Sequence, residues 1–352
     1  MVISEYIQTL MAEQSIPGLS VAVVQNGNPL LLSGYGLANV ELSVPATAES
    51  VYEIASVGKT FTATAIMMLV EQNEIGLDDS ITDYLDNIPN SWQPAWGLNP
   101  RLTIKHILTH QSGIPSYTSV AEYWKKTRLD ISRDEIIALV TDLPLMFAPG
   151  EYWSYDNTGY YLLGFILEKV SGKPYEVLLR ELIFAPLSMN ATVMNQPAAI
   201  VKNRVAGYHL ENNTLYNKEY YSPSNTFSAG GWLSSVKDMA KWEAALCGEM
   251  ILNKSTLEQI WSPYESKRGN EREYGFTQGL GWQIPNYSRR VVSHNGSIKG
   301  FAANMTRFID DKLSVILLCN LENINRPDAL AKAIAEHFIP DLAQEPLSPP
   351  LL

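Results

Sequence analysis

Residues 56–72 read SVGKTFTATAIMMLVEQ, a stretch that places a serine and a lysine one turn apart at the start of a predicted helix. A helix over residues 59–72 is indicated by apolar side chains that recur on one face, at Phe61, Ala65, Met68 and Leu69. A serine hydroxyl is a weak nucleophile that needs a neighbouring proton acceptor. A lysine held in a desolvated cleft can lose its proton and serve as that acceptor. Ser56 and Lys59 are therefore the candidate nucleophile and base.

The Ser-x-x-Lys pattern occurs a second time, at Ser234 and Lys237. There the next serine, Ser235, and Asp238 have the spacing of a capping box, in which the two side chains satisfy free N–H groups at a helix start. Serine at a helix start is usually a cap. We interpret Ser234 as structural and Ser56 as the reactive serine.

Outward from this stretch, both ends of the chain have strand signals and the middle has helix signals. Residues 19–25 and 29–35 are β-rich runs separated by Asn26-Gly27-Asn28, which predicts a hairpin. Helix-like segments follow, including residues 134–141 and 158–170, divided by Pro/Gly turns. Short β-rich runs and a final predicted helix lie near the C-terminus, at 291–293, 301–308, 313–319 and 327–337.

This order of elements predicts two domains. An α/β domain is assembled from both termini, residues 1–58 plus 210–352, and a helical domain, residues 59–209, is inserted into it. A functional site is then expected in the cleft between them.

Composition excludes several classes of function. The 352 residues contain 26 Lys plus Arg and 37 Asp plus Glu, a formal net charge of −11, which argues against a nucleic-acid-binding face. No apolar run approaches the roughly 18 residues that a membrane span requires, so we expect none. The compartment stays open: cytoplasmic for the sequence as written, periplasmic or secreted if a signal peptide has been removed.

Two further motifs contain side chains suited to acyl transfer. Tyr155-Asp156-Asn157 is the one Tyr-x-Asn in the sequence; its phenol can relay protons, and its amide can orient a lysine and a substrate carbonyl or amide. His294-Asn295-Gly296 is the one His-x-Gly, and its glycine would let the backbone approach a ligand closely. Taken singly, each motif also fits a structural role: an aromatic loop anchor with a capping Asn, and a structural histidine.

Together, the three motifs in this order resemble the serine β-lactamase and penicillin-binding protein superfamily. Flanking sequence is similar to its class C-type branch over nearly the whole chain, at residues 107–113, 149–160, 229–235 and 300–301. The resemblance implies an α/β (α+β) fold in which an antiparallel sheet is flanked by helices and an all-α domain is inserted. It also implies a metal-free enzyme without a cofactor.

The resemblance assigns catalytic roles to three residues. Ser56 would be the acylated nucleophile, Lys59 its base partner and Tyr155 the proton relay to the leaving group. The backbone N–H groups of Ser56 and Ser297 would form the oxyanion hole.

The remaining residues implied by the resemblance are expected to bind substrate. Asn157 would hold the lysine and the substrate amide, and His294 would line the cleft beside the tyrosine. Asn295, Gly296 and Ser297 complete the expected substrate-binding set.

Two positions depart from the class C β-lactamases: His294 replaces their Lys, and Asn295 replaces the usual Thr. His-x-Gly resembles instead the D-Ala-D-Ala carboxypeptidase, D-aminopeptidase and esterase members. Because an ordinary histidine titrates near neutrality, any step that depends on its charge is expected to change over about pH 5–8.

The first hypothesis is therefore a serine hydrolase that acts through an acyl-enzyme on D-amino-acid-containing peptides or amides, of the DD-peptidase or D-aminopeptidase type. A carboxylesterase or a weak class C-type β-lactamase is the alternative. A non-catalytic penicillin-binding sensor domain, which is acylated and then stalls, is the alternative from another class. The expected partner is a small-molecule or short-peptide substrate, and the oligomeric state stays open.

Two other kinds of site are disfavoured. His106 and His110 have the i, i+4 spacing of a helical metal pair, but no Glu follows the first histidine and no third ligand can be assigned. The Gly-x-Ser-x-Gly elbow of an α/β-hydrolase does not occur in the sequence.

Overall fold

The computed structural model describes residues 2–92 and 101–345. Its helices are α1 (Ile3–Glu13), α2 (Lys59–Glu71), α3 (Ile104–Leu108), α4 (Ala121–Lys126), α5 (Arg133–Ala138), α6 (Asn157–Ser171), α7 (Tyr175–Leu179), α8 (Val236–Cys247), α9 (Lys254–Ile260) and α10 (Pro327–Ala335). Within the described ranges, no helix combines the length and the apolar character needed to cross a bilayer.

The strands are β1 (Gly18–Gln25), β2 (Asn28–Asn39), β3 (Val44–Pro45), β4 (Tyr52–Glu53), β5 (Val193–Met194), β6 (Tyr208–Glu211), β7 (Thr214–Asn217), β8 (Trp232–Ser234), β9 (Phe276–Gln278), β10 (Gln283–Pro285), β11 (Val291–Ile298), β12 (Phe301–Phe308) and β13 (Leu313–Cys319). The main sheet has the order β3-β2-β1-β13-β12-β11-β10-β9, and its neighbouring strands pair antiparallel. A smaller sheet, β4-β8-β5, and the hairpin β6-β7 complete the strands of the described residues.

The main sheet is buried on both faces, since nearly every residue of its central strands β1, β12 and β13 is buried. Side chains alternate between the two faces along a strand. On β13, Val315 and Leu317 enter the core beneath α1 and α10, whereas Ile316 and Leu318 enter the larger core that contains α2, α6 and α8. The helices therefore cover the sheet from both sides.

These elements confirm the predicted fold class. The hairpin at residues 26–28 joins β1 to β2, which pair antiparallel. The sheet draws its strands from residues 18–45 and 276–319, which lie near the two ends of the chain, and most of the helices fall between them. The division into residues 1–58 plus 210–352 and 59–209 stays a prediction; β5, within the second range, pairs with β8 in the first.

Candidate active site

The candidate nucleophile lies in a tight turn that precedes α2. Residues Ala55–Gly58 form a 3₁₀ turn, and Ala55 has a left-handed backbone with φ 46°. Two glycines allow other chain segments to press against this turn: a Cβ on Gly296 would lie 2.3 Å from the Ile54 carbonyl oxygen, and one on Gly230 would lie 2.8 Å from the Ala55 carbonyl carbon. The space beside Gly296 is thus occupied by the turn that contains Ser56. The sequence suggested that a ligand would approach this glycine closely, but another segment of the chain does so instead.

Lys59 begins α2 and is fully buried. Its Nζ lies 3.1 Å from Ser56 Oγ, 2.8 Å from Asn157 Oδ1 and 2.5 Å from the carbonyl oxygen of Ala229. A neutral amine has two N–H donors and one lone pair. The amide and carbonyl oxygens accept from the amine in either protonation state. When the lysine is unprotonated, its lone pair can face Ser56 Oγ, and the serine hydroxyl can then donate to it.

The electrostatic surroundings favour the neutral amine. Burial lowers the pKa of Lys59 to about 7, against the attraction of the Asp156 carboxylate. Burial also raises the pKa of Asp156 to about 6, while hydrogen bonds from Gly159 and Ser112 act in the opposite direction. Near pH 7 a large share of the molecules therefore has an unprotonated Lys59 beside the serine hydroxyl.

Tyr155 lies directly before Asp156, which caps the N-terminus of α6 by accepting from the Gly159 N–H. The ring centroid of Tyr155 is 5.0 Å from Lys59 Nζ. Burial raises the pKa of this phenol above its ordinary value, although a hydrogen bond with Ser56 opposes the rise. The phenol is thus protonated at neutral pH and able to donate.

His110, which the sequence offered only as half of a metal pair, supports the tyrosine. Its ring centroid lies 4.4 Å from that of Tyr155, and its Nδ1 accepts a hydrogen bond of 3.1 Å from the Asp156 N–H. Burial lowers the pKa of His110 well below its ordinary value. The histidine therefore presents a neutral ring that holds the phenol in position. Its spacing from His106 gave no signal for this role.

His294 lies on β11, buried, with its ring centroid 6.5 Å from that of Tyr155. Burial, reinforced by Lys59, lowers its pKa to about 3. The expectation that it titrates over pH 5–8 is therefore wrong, because the fold removes the ring from water. The next side chain, Asn295, accepts a 2.7 Å hydrogen bond from Asn304 on the neighbouring strand.

A cavity of about 310 Å³ opens over the nucleophile. It brings together three of the predicted residues, Ser56, Asn157 and Ser297, with Lys59 and Tyr155 lying behind them. Lys299, whose closeness in sequence to Ser297 made it a candidate for binding a substrate carboxylate, also lines the cavity. Sequence reasoning missed other lining residues, because they come from loops and elements far apart in the chain: Tyr117, Trp124, Tyr221, Glu322 and Asn323.

The second Ser-x-x-Lys pattern lies elsewhere. Ser234 is buried against Thr192, with 2.9 Å between their hydroxyl oxygens, and Lys237 forms an exposed ion pair with Glu49. Ser235 does cap α8, by accepting from the Asp238 N–H. The second hydrogen bond of the predicted capping box, from the Ser235 N–H to the Asp238 carboxylate, is not formed. The Asp238 carboxylate accepts from the Ala191 N–H instead.

The two histidines considered as a metal pair also have separate partners. His106 Nδ1 is 3.0 Å from the hydroxyl of Thr103, the residue that caps α3, whereas His110 faces Asp156. Over the described residues, no group of three or more His, Cys, Asp or Glu side chains has the geometry to hold a metal ion.

Comparison with known proteins places the chain in a family. The beta-lactamase family model matches residues 3–337. The chain belongs to the beta-lactamase family. It is 30% identical over 336 residues to Penicillin-binding protein 4* of Bacillus subtilis (strain 168), an alignment that covers 91% of this chain and 72% of that protein. It spans only 60% of the length of a second curated relative, which is 29% identical.

Solved structures of the same family have a similar fold. The octameric penicillin-binding protein homologue from Pyrococcus abyssi superposes with a TM-score of 0.81 at 30% identity, covering 96% of this chain and 76% of that one. The D-amino acid amidase from Ochrobactrum anthropi SV3 superposes with a TM-score of 0.77 at 25% identity, covering 97% and 100%. This family member is therefore a serine hydrolase.

Proposed function

We propose that the protein hydrolyses D-amino-acid-containing peptides or amides through an acyl-enzyme on Ser56. The observation that carries the proposal is the 3.1 Å contact between Lys59 Nζ and Ser56 Oγ. Because burial lowers the pKa of Lys59 to about 7, this amine is an effective general base near neutral pH.

The reaction then proceeds in two halves. Ser56 Oγ attacks the substrate carbonyl carbon while its proton passes to Lys59, and the N–H groups of Ser56 and Ser297 bind the oxyanion. As the C–N bond breaks, Tyr155 gives its phenolic proton to the leaving amine and is reprotonated from the lysine. A water molecule attacks the resulting ester, loses its proton along the same path, and releases the acid and the free serine.

The choice of D-configured substrates is supported by the relatives. A D-amino acid amidase shares the fold over 97% of this chain, and a penicillin-binding protein is 30% identical to it. Their names describe those proteins, so the substrate of this chain is part of the proposal.

A carboxylesterase is the second candidate, and the state of His294 favours it over a β-lactamase. Class C β-lactamases, which this chain resembles, have a lysine at that position. Here burial lowers the pKa of His294 to about 3 and leaves the ring uncharged, so this site lacks the charged side chain of those β-lactamases. An ester also requires only the same acyl transfer, with an easier leaving group.

The test combines labelling with turnover. A fluorophosphonate should add one adduct to the wild-type chain and to Ser234→Ala, as seen by intact mass, but none to a folded Ser56→Ala variant. The wild type is then assayed on D- and L-phenylalanine amides, a short acyl ester and a cephalosporin.

Turnover of the D-amide above its L-isomer is the expected result. Faster turnover of the ester with no activity on either amide would favour the esterase, and labelling without turnover of any substrate would favour the sensor domain. Labelling of Ser234 would overturn the assignment of the nucleophile.

A further inference from the structure

Two charged side chains that line the cavity, and a third that contacts one of them, take no part in the catalytic steps. Lys299 follows β11 and Glu322 follows β13, and both line the cavity. Lys299 Nζ lies 3.2 Å from a carboxylate oxygen of Glu219 and 4.0 Å from Glu322 Oε1. A single ammonium is therefore shared between two carboxylates, and the group has a formal charge of −1.

This arrangement leaves little positive charge for a substrate carboxylate. Among the described residues that line the cavity, Lys299 is the one Lys, Arg or His side chain, and its ion pairs with Glu219 and Glu322 already offset its charge. The buried His294 adds none, because its pKa is lowered to about 3. A peptide with a C-terminal carboxylate would have to displace one of these acidic partners.

Glu322 can instead accept from a substrate. One of its oxygens, Oε2, takes a 2.6 Å hydrogen bond from the Gly300 N–H, which fixes the carboxylate in place. The other oxygen, Oε1, is 4.0 Å from Lys299 Nζ, beyond hydrogen-bond distance, so it keeps its capacity to accept. The side chain is only 13% exposed, which limits screening of its charge by water.

Aromatic rings also line the cavity. Tyr117, Trp124 and Tyr221 line it together with Glu322. Aromatic rings attract a cation through their faces and also pack against an apolar side chain. The volume of about 310 Å³ lies at the small end of ligand pockets, which suits one amino-acid residue better than a long peptide.

We propose that the acyl part of the substrate has a free α-ammonium group that binds Glu322, so that the enzyme acts on amino-acid amides or on the N-terminal residue of a peptide. This inference rests on the proposed hydrolysis of D-configured amides and specifies the substrate class. Lys299, held by Glu219 and Glu322, disfavours substrates with a carboxylate at the same place.

Three substrates that differ only at the α-nitrogen provide the test: D-phenylalanine amide, its N-acetyl derivative and its N-succinyl derivative. They are cationic, neutral and anionic at pH 7, since an α-amino group has a pKa of about 7.7–8. We expect wild-type kcat/KM to fall in that order, by about tenfold from the first to the second, which is the effect of one charge-assisted contact.

Substitutions test whether the Glu322 carboxylate causes the preference for the ammonium substrate. Glu322→Gln keeps an acceptor for the Gly300 N–H but loses the charge, and should reduce the ammonium-to-acetyl ratio about tenfold, mainly through KM. Glu219→Gln should raise the succinyl-to-acetyl ratio by releasing Lys299. Glu249→Gln, a change at an exposed carboxylate lining a different cavity, is the matched control and should leave both ratios unchanged. Comparing ratios within one variant cancels any general loss of activity.

The outcomes separate this inference from the proposed function. Equal wild-type rates on the ammonium and acetyl substrates, or an ammonium preference that survives Glu322→Gln, would overturn the inference and leave D-amide hydrolysis standing. Fastest turnover of the succinyl substrate would likewise overturn it. No turnover of any of the three amides would overturn the proposed function, and the inference with it.

Discussion

Replacing Lys59 by methionine should change how the stability of the protein depends on pH. Burial lowers the pKa of this lysine from 10.5 to about 7, whereas in the unfolded chain the lysine keeps its proton until about pH 10.5. Between these values the unfolded state binds more protons than the folded state, so the wild type becomes more stable as the pH rises. The Lys59→Met variant lacks this contribution.

The magnitude follows from the number of protons. Unfolding takes up about half a proton on Lys59 at pH 7 and close to one at pH 9, and each proton changes the free energy of unfolding by about 1.36 kcal/mol per pH unit. Between pH 7 and 9, the free energy of unfolding of the wild type should therefore rise by about 2 kcal/mol relative to that of the Lys59→Met variant. The hydrogen bonds that the variant loses change its stability by an amount that does not depend on pH. Loss of the lysine charge also raises the pKa of Asp156 in the variant, and any titration of Asp156 within the window then adds to the difference in the same direction.

Urea unfolding of both proteins at pH 7, 8 and 9 measures the difference. Lys237→Met is the matched control: this lysine belongs to the other Ser-x-x-Lys pattern, is exposed and pairs with Glu49, which raises its pKa. Its removal should add no pH dependence over the same window. A difference between wild type and Lys59→Met that stays constant from pH 7 to 9 would show that Lys59 remains charged in the fold, and would refute its role as the base.

Further consequences concern the site and its surroundings. Because neutral Lys59 is the active form, kcat/KM for the N-acetyl amide, which has no titrating amine, should rise with pH through about 7. The His294→Gln substitution should leave that midpoint in place, since the histidine pKa is about 3. A midpoint that moves with this substitution would restore the histidine as the titrating group. Tyr155→Phe should lower kcat about 10²–10⁴-fold in a folded protein, the usual contribution of a general acid, and a smaller loss in stopped assays would exclude it as the proton donor. Gly296→Ala should destabilise the fold by about 1–3 kcal/mol in urea, because its Cβ would meet the Ile54 carbonyl oxygen at 2.3 Å; an unchanged midpoint would contradict the close approach. Dialysis against a chelator should leave turnover unchanged, and a loss restored by zinc would reopen the metal hypothesis.

The long buried strands were predictable from the sequence because runs of seven or eight residues contain enough apolar and β-branched side chains to be recognised. The predicted runs 301–308 and 313–319 match β12 and β13 residue for residue, and the predicted helix at 59–72 differs from α2 by one residue. Strands of two or three residues, such as β9 and β10, were missed. They are too short to show a period, and their pairing depends on contacts made only in the folded chain.

Part of the site was also predictable, since Ser56, Lys59, Tyr155 and Asn157 belong to motifs with recognisable side chains. The carbonyl of Ala229, the third partner of the lysine, is a backbone group, and nothing in its side chain indicates that role. Protonation states were equally inaccessible. Burial by distant segments sets them, as the neutral His294 demonstrates, and no local pattern reports that burial.

The hydrogen bonds around Lys59 also bear on how the protein folds. Its partners Asn157 and Ala229 lie 98 and 170 residues away along the chain, so this environment forms only when segments far apart in sequence have met. Closing such long loops is slow compared with forming a helix. A covalent serine probe added during refolding therefore times the completion of the native topology, whereas circular dichroism detects helices that form before the serine becomes reactive.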